Sequence, residues 1–195
     1  LGIVVFNTPG ANANAVKELV MAGMLLATRG ILPGMAYVQS LTHLTDAAEM
    51  SALLEKEKAR FAGGEIKGKT LGIVGLGAIG SMVAEMALAM GMKVVGFDPA
   101  LSIDAAWRLS NEVTRMENLP ALLARSDYVS LHVPAMDATR HLINADALAG
   151  IKEGSGTLLD NCLVVAHSDC SEAKVHAVDG IPVMIAGKEI GRAHV

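Results

Sequence analysis

The stretch TLGIVGLGAIGSMVAEMALAMGMKVVGFDPA, from Thr70 to Ala100, decides the fold. LGIV is a short apolar run with β-branched residues and reads as a buried strand. Ala78 to Met90 follows a helical pattern, and KVVGF reads as a second strand. Between the first strand and the helix lies GLGAIG, in which Gly75, Gly77 and Gly80 have G-x-G-x-x-G spacing. The three glycines act differently. Gly75 permits a tight turn, Gly77 withholds a Cβ that would obstruct a pyrophosphate, and Gly80 lets the helix approach the strand. The helix start offers unpaired amides and the positive end of a dipole to phosphate. The second strand ends in Asp98. A carboxylate there accepts hydrogen bonds from ribose hydroxyls and repels a 2′-phosphate, which favours NAD over NADP. Met82, Met86 and Met90, four residues apart, are read as core packing rather than as a cofactor feature.

Upstream, GIVVF (Gly2–Phe6) reads as a strand closed by the turn NTPG, and Asn12 or Asn14 as the cap of a helix running to about Arg29. Gly30 and Pro33 end that helix, and a second helical region covers about Met35 to Phe61 with a break near THLTD. Met50, Leu53, Leu54 and Phe61 are expected on its inner side. AGGEIKGK (Ala62–Lys69) marks a boundary. Downstream of Asp98, a short helix Ile103–Leu109 is capped by Ser102, and Asn118–Arg125 is helical. YVSLHV is a strand, Ala145–Ala149 a helical turn capped by Asn144, and GTLLD a strand. Strands alternating with helices at this spacing imply parallel pairing, hence an α/β fold with a doubly wound parallel sheet. After Asp160 the pattern stops, and residues 163–195 are left as an unassigned tail.

Composition excludes other classes. The 195 residues are 52% apolar and 18% charged, which suits a globular chain. A net charge of −4 without a basic block argues against a nucleic-acid partner. LVMAGMLLA (Leu19–Ala27) is apolar but too short to cross a membrane, and it reads as a buried helix. Cys162 and Cys170 form neither a disulfide framework nor a metal-ligand pattern, so no metal is expected. The chain opens on Leu1 in a strand-like run without a secretory signal, and a cytoplasmic location is expected.

Several motifs together carry a family resemblance: FNTPGANANAVKELVMAGMLLATR, GGEIKGKTLGIVGLGAIG, GFDP, DYVSLHVP, TRHLINADAL and IKEGSGTLLD. In this order they resemble the NAD-dependent D-isomer-specific 2-hydroxyacid dehydrogenases, from Gly2 to about Asp160, and within them the members that oxidise 3-phosphoglycerate in serine synthesis. The resemblance implies two domains in the whole protein, a Rossmann domain for NAD and a substrate domain built from both chain ends. Residues 1–12 would be a remnant of the substrate domain with its hinge, and 13–162 the NAD-binding domain. Asn12 matches a position lining the cleft near substrate. Ala78 and Ile79 match the pair whose backbone meets the pyrophosphate, and Asp98 matches the ribose-binding acid. His132, Val133 and Pro134 match the strand end beside the adenosine half of the cofactor. A homodimer through the nucleotide-binding domain is also implied; the LVMAGMLLA helix fits a crossing between subunits and equally fits packing within one subunit.

The family reaction is hydride transfer between NAD and the 2-hydroxyl carbon of a small hydroxy acid. An Arg binds the substrate carboxylate, and a His oriented by a Glu moves the hydroxyl proton. The Arg belongs in an N-x-x-R-G pattern after the strand matching GTLLD, but this chain reads DNCLV. Leu163 then stands at the Arg position and Val164 at the Gly position, and leucine cannot clamp a carboxylate. No position matches the Glu or the His. His167, His176 and His194 have no matching surround, and Cys162 near His167 resembles a nucleophile–base pair in spacing only. No catalytic residue is therefore assigned. The expectation is a dehydrogenase's cofactor cradle without its acid–base groups; the alternatives are a non-catalytic NAD-sensing module that binds another protein, or a dehydrogenase for another small 2-hydroxy acid.

Overall fold

The computed structural model describes residue 8, residues 10–134, 136–144 and 147, and the backbone of 152–153, 156–157, 163–167 and 183–186. GIVVF lies outside the described residues. Three helices come first: α1 (Ala13–Thr28), α2 (Ile31–Ser40) and α3 (Ala47–Glu57), the last extended by a 3-10 turn, Lys58–Phe61. Gly30, at φ +57°, ends α1 as expected. The next helix starts earlier than its expected Met35, because Pro33 sits in its first turn, where the missing N–H has no intrahelical partner to lose. The break at THLTD is present, and Asp46 Oδ1 caps α3 by accepting from the amides of Ala48 and Glu49, each at 2.8 Å. Asn12 occupies the N-cap position of α1 but makes no side-chain cap bond, while Asn14 is bonded to Glu18 and Lys17. The expected Asn cap is thus corrected. Met50, Leu53, Leu54 and Phe61 are half-buried.

Beyond the Ala62–Lys69 boundary the chain alternates: β1 (Thr70–Val74), α4 (Ala78–Ala89), β2 (Lys93–Phe97), α5 (Ile103–Ala106), β3 (Val113–Arg115), α6 (Leu119–Arg125) and β4 (Tyr128–Leu131). Ser102 Oγ caps α5, and Asn118 Oδ1 caps α6. Asn144 Oδ1 accepts from the Ala147 amide at 2.8 Å, the expected cap of the following turn. The short β3 went unread because a three-residue edge strand with one half-buried side chain, Val113, leaves no alternation to detect.

GTLLD requires a larger correction. Gly156–Thr157 is β6, paired antiparallel with β5 (Lys152–Glu153) outside the main sheet. The parallel neighbour of β4 is instead β7 (Leu163–His167), followed by the antiparallel β8 (Val183–Ala186), both within the stretch that showed no pattern. The sheet order is β3-β2-β1-β4-β7-β8, parallel from β3 to β7.

Helices cover both faces, as a parallel sheet requires. On one face Val20, Met21 and Met24 of α1 and Val83, Ala84 and Ala87 of α4 pack with Leu71, Ile73, Val94 and Tyr128. On the other, Leu122 and Leu123 of α6 pack with Val74, Val95 and Val129. Each fully buried Leu or Ile contributes about 1.5–3 kcal/mol relative to exposure. The inner stripe of α4 is Gly80, Val83, Ala84 and Ala87. Met86 packs against that cluster, but Met90 is exposed, so the methionine series is only partly core.

Gly72, in the middle of β1, is where α6 comes closest. A Cβ there would stand 2.2 Å from Ser126 Oγ and 2.6 Å from Leu122 Cδ2. Gly72→Ala is expected to destabilise the fold by about 1–3 kcal/mol, the usual range for overpacking. Thermal melting monitored by circular dichroism reads the shift, and an unchanged midpoint refutes this packing.

Candidate functional site

β1, β2 and β4 are adjacent and parallel, so their C-terminal ends share one edge of the sheet. That edge collects the glycine-rich turn after β1, Asp98 after β2, and His132 to Pro134 after β4. The chain winds outward in one direction through β1, β2 and β3 and in the other through β4. The crevice therefore opens between β1 and β4, where the strand order reverses and ligands of such sheets bind.

The turn is held by contacts that leave no room for side chains. Gly75 has φ +90°, and a Cβ on it would lie 2.6 Å from the carbonyl oxygen of His132. The His132 amide in turn donates to the Val74 carbonyl at 2.7 Å, so the end of β4 braces the turn. A Cβ on Gly80 would lie 2.0 Å from the Gly75 carbonyl oxygen, which is why α4 can start directly on the strand. Gly77 differs from both. Its φ is −68°, and no described residue lies within 4 Å of where its Cβ would be. Neither backbone strain nor packing among the described residues excludes a side chain there, so the space suits a ligand that approaches the backbone closely.

Asp98 is tied into the same turn. Its Oδ2 accepts from the Leu76 amide at 2.8 Å, and its Oδ1 accepts from the Ala100 amide at 2.9 Å. From sequence Asp98 has only the ribose role; the structure adds an anchoring one. A carboxylate has about four acceptor positions, so hydroxyl donors can still be accommodated. Because Gly77 at the N-cap of α4 has no side chain, the first-turn amides of Ala78 and Ile79 are left for an anion at the positive end of the helix. The start of α1 borders the same place: a Cβ on Gly10 would be 3.6 Å from Ala78 Cβ, and the exposed Asn12 follows two residues later. The site residues expected from sequence thus converge. Ser130, unnoticed in the sequence, joins them: its Oγ lies 2.8 Å from His132 Nε2. The signal was the two-residue step in SLH, which puts both side chains on one face of β4.

Burial pushes the His132 imidazole down to about 4. The remaining expected residues contribute no described chemistry. Cys162, Cys170, His176 and His194 lie outside the described residues, and only the backbone of Leu163, Val164 and His167 is described. Among the described residues no group of His, Cys, Asp or Glu is arranged to hold a metal. No single helix among them is long and apolar enough to cross a membrane; the bent pair α1 and α2 reaches that length together.

Two measurements test this geometry. Gly77→Ala should leave thermal stability unchanged yet weaken NAD binding in a calorimetric titration, whereas Gly80→Ala should lose the fold. For His132, the unfolded ring titrates near 6.5. Between that value and about 4 the unfolded chain takes up a proton that the folded chain refuses. Stability should therefore be full above pH 6.5 and fall as the pH drops toward 4, by at most about 3 kcal/mol because the ring is partly exposed. His132→Asn should flatten that slope in urea melts recorded across the window.

The D-isomer specific 2-hydroxyacid dehydrogenase NAD binding domain matches residues 21–161 of this chain. Hydroxypyruvate reductase of Thermotoga maritima is 39% identical over 153 residues, covering 78% of this chain and 44% of that protein. A putative D-3-phosphoglycerate dehydrogenase of Schizosaccharomyces pombe is 36% identical over 197 residues, covering 95% of this chain and 38% of the relative. Among solved structures, D-lactate dehydrogenase from Aquifex aeolicus complexed with NAD and lactic acid superposes with a TM-score of 0.59 at 30% identity, over 78% of this chain and 41% of that one. The chain spans less than half the length of these relatives. With the glycine-rich turn, Asp98 and SLHVP inside the matched region, the chain belongs to the D-isomer-specific 2-hydroxyacid dehydrogenases through their NAD-binding domain.

Proposed function

We propose that this chain seats NAD for hydride transfer at the 2-hydroxyl carbon of a D-2-hydroxy acid, with 3-phosphoglycerate as the substrate of the whole protein. The observation that carries the reading is the open space at Gly77 beside the Asp98 carboxylate, a cradle whose glycine no contact among the described residues requires. NAD supplies the hydride acceptor when bound. Gly75, Gly77 and Gly80 shape the seat, and the amides of Ala78 and Ile79 face the pyrophosphate. Asp98 takes the ribose hydroxyls, and His132, Val133 and Pro134 border the adenosine. Asn12, at the neighbouring start of α1, faces the substrate side. The choice of 3-phosphoglycerate is supported by phosphoglycerate dehydrogenases among the relatives, including one from Methanocaldococcus jannaschii at 35% identity over 83% of this chain. Relatives named for hydroxypyruvate and sulfolactate define the competing substrates.

The chain by itself is read as cofactor-binding and without turnover, since Leu163 stands where the resemblance puts the carboxylate-binding Arg. Residues 1–12 are assigned to a remnant of the substrate domain with its hinge and 13–162 to the NAD domain, whose sheet β7 and β8 extend beyond that boundary. The whole protein is proposed to work in the cytoplasm as a homodimer. Leu32, Met35 and Val38 of α2 are each more than half exposed, and Leu19 of α1 nearly so, which supports a second copy covering this face.

Calorimetric titration with NAD and NADP tests the reading, together with turnover assays on 3-phosphoglycerate and hydroxypyruvate. NAD should bind more tightly than NADP, and no turnover should be detected. Asp98→Ala should weaken NAD by about 10- to 100-fold, the range for a hydrogen bond to a charged group, and narrow the gap to NADP. Equal affinities for the two cofactors in the unmodified chain would refute the role given to Asp98.

A further inference from the structure

Ser130 and His132 make a contact that nothing in the cofactor reading requires. Ser130 is 4% exposed, and its described side-chain hydrogen bond is the 2.8 Å contact with His132 Nε2. Two arrangements satisfy that distance. In one, Nε2–H donates to the serine oxygen, and the hydroxyl hydrogen is left in a buried place with no other acceptor among the described residues. In the other, the hydroxyl donates to a bare Nε2, and the ring hydrogen sits on Nδ1. Each arrangement leaves one hydrogen without an acceptor among the described residues, and that hydrogen is better carried by the partly exposed ring than by the buried serine, so the second arrangement prevails.

We propose that Ser130 is a positioning residue that holds His132 in the Nδ1–H tautomer, so that the ring offers a hydrogen-bond donor to an acceptor oxygen of the dinucleotide at the crest of β4. The proposal rests on the cofactor site read above. Three structural facts support it. Nδ1 has no partner among the described residues. The His132 backbone abuts Gly75, which sets this residue beside the glycine-rich turn. Ser130 pairs with Ile73 in register, so the strand fixes its depth below the crest. Burial, which lowers the ring's affinity for a second proton, keeps it neutral near pH 7 and makes the tautomer a real choice.

The test uses the whole chain labelled with 15N-histidine. Long-range proton–nitrogen spectra at pH 7 show which ring nitrogen of His132 carries hydrogen, with its peaks assigned by their loss in His132→Asn. The expected result is hydrogen on Nδ1, a shift of that resonance on saturation with NAD, and mixed tautomers in Ser130→Ala. Ser130→Ala should also weaken NAD about three- to tenfold, the range for one neutral hydrogen bond, with melting curves confirming that the variant folds. AMP titrated alongside NAD locates the acceptor: weakening of both puts it on the adenosine half, and weakening of NAD alone puts it beyond, either result supporting the proposal. Hydrogen on Nε2, or an Nδ1–H resonance unmoved at saturating NAD, overturns it. If the unmodified chain binds no NAD, the cofactor site itself is wrong and the donor role falls with it. The tautomer, read without ligand, shows whether the Ser130 contact was also misjudged.

Discussion

Three backbones meet at one point, and the architecture depends on their doing so. The turn after β1 fits between the end of β4 and the start of α4 only because Gly75 and Gly80 carry no side chains. Methyl groups there would stand 2.6 Å from the His132 carbonyl oxygen and 2.0 Å from the Gly75 carbonyl oxygen. Carbonyls in a parallel sheet cannot yield as the end of a flexible side chain can. Moving them would break the bond from the His132 amide to the Val74 carbonyl, and with it the register of β1 against β4. The same closeness brings the first amides of α4 to the crest, so the constraint that closes the fold also aims the helix at an anion.

Asp98 extends this economy to β2. By accepting from the Leu76 amide, it removes one loop donor from competition and sets the turn at a fixed distance from the second strand. The cradle is therefore largely formed before any ligand arrives, so binding need not order the loop. Gly77 is the complementary case. Its conformation suits any residue and no described residue crowds it, so neither the backbone nor the described packing demands glycine there. Comparing substitutions at Gly77 and Gly80 separates a demand of the ligand from a demand of the fold.

Legibility in the sequence followed the length and the locality of each signal. GLGAIG, Asp98 and SLHVP are local patterns, and the structure gathers them because β1, β2 and β4 are neighbours whose ends share an edge. Elements whose identity depends on distant partners were harder to read. β3 is a three-residue edge strand. LVVAH is an apolar run that becomes a strand by pairing with β4, whereas the described part of the equally strand-like GTLLD, Gly156–Thr157, pairs with β5 instead. A short apolar run states a preference for extended structure, but not which edge it will join. Asn12 was misread for a related reason: the residue type suits a cap, but the side chain forms no bond with the first-turn amides of α1.

The pairing of Ser130 with His132 shows how far a local pattern can be carried. SLH implies only that two polar side chains share a face at the end of a strand. Burial of the serine turns that neighbourhood into a choice between tautomers, because its hydroxyl hydrogen has one acceptor within reach among the described residues. Burial of the imidazole keeps that choice from being erased by protonation. A residue that sequence places beside the adenosine by likeness alone thereby acquires a definite hydrogen-bonding sense. The direction comes from solvent exclusion around Ser130, a quantity that exists only in the folded chain.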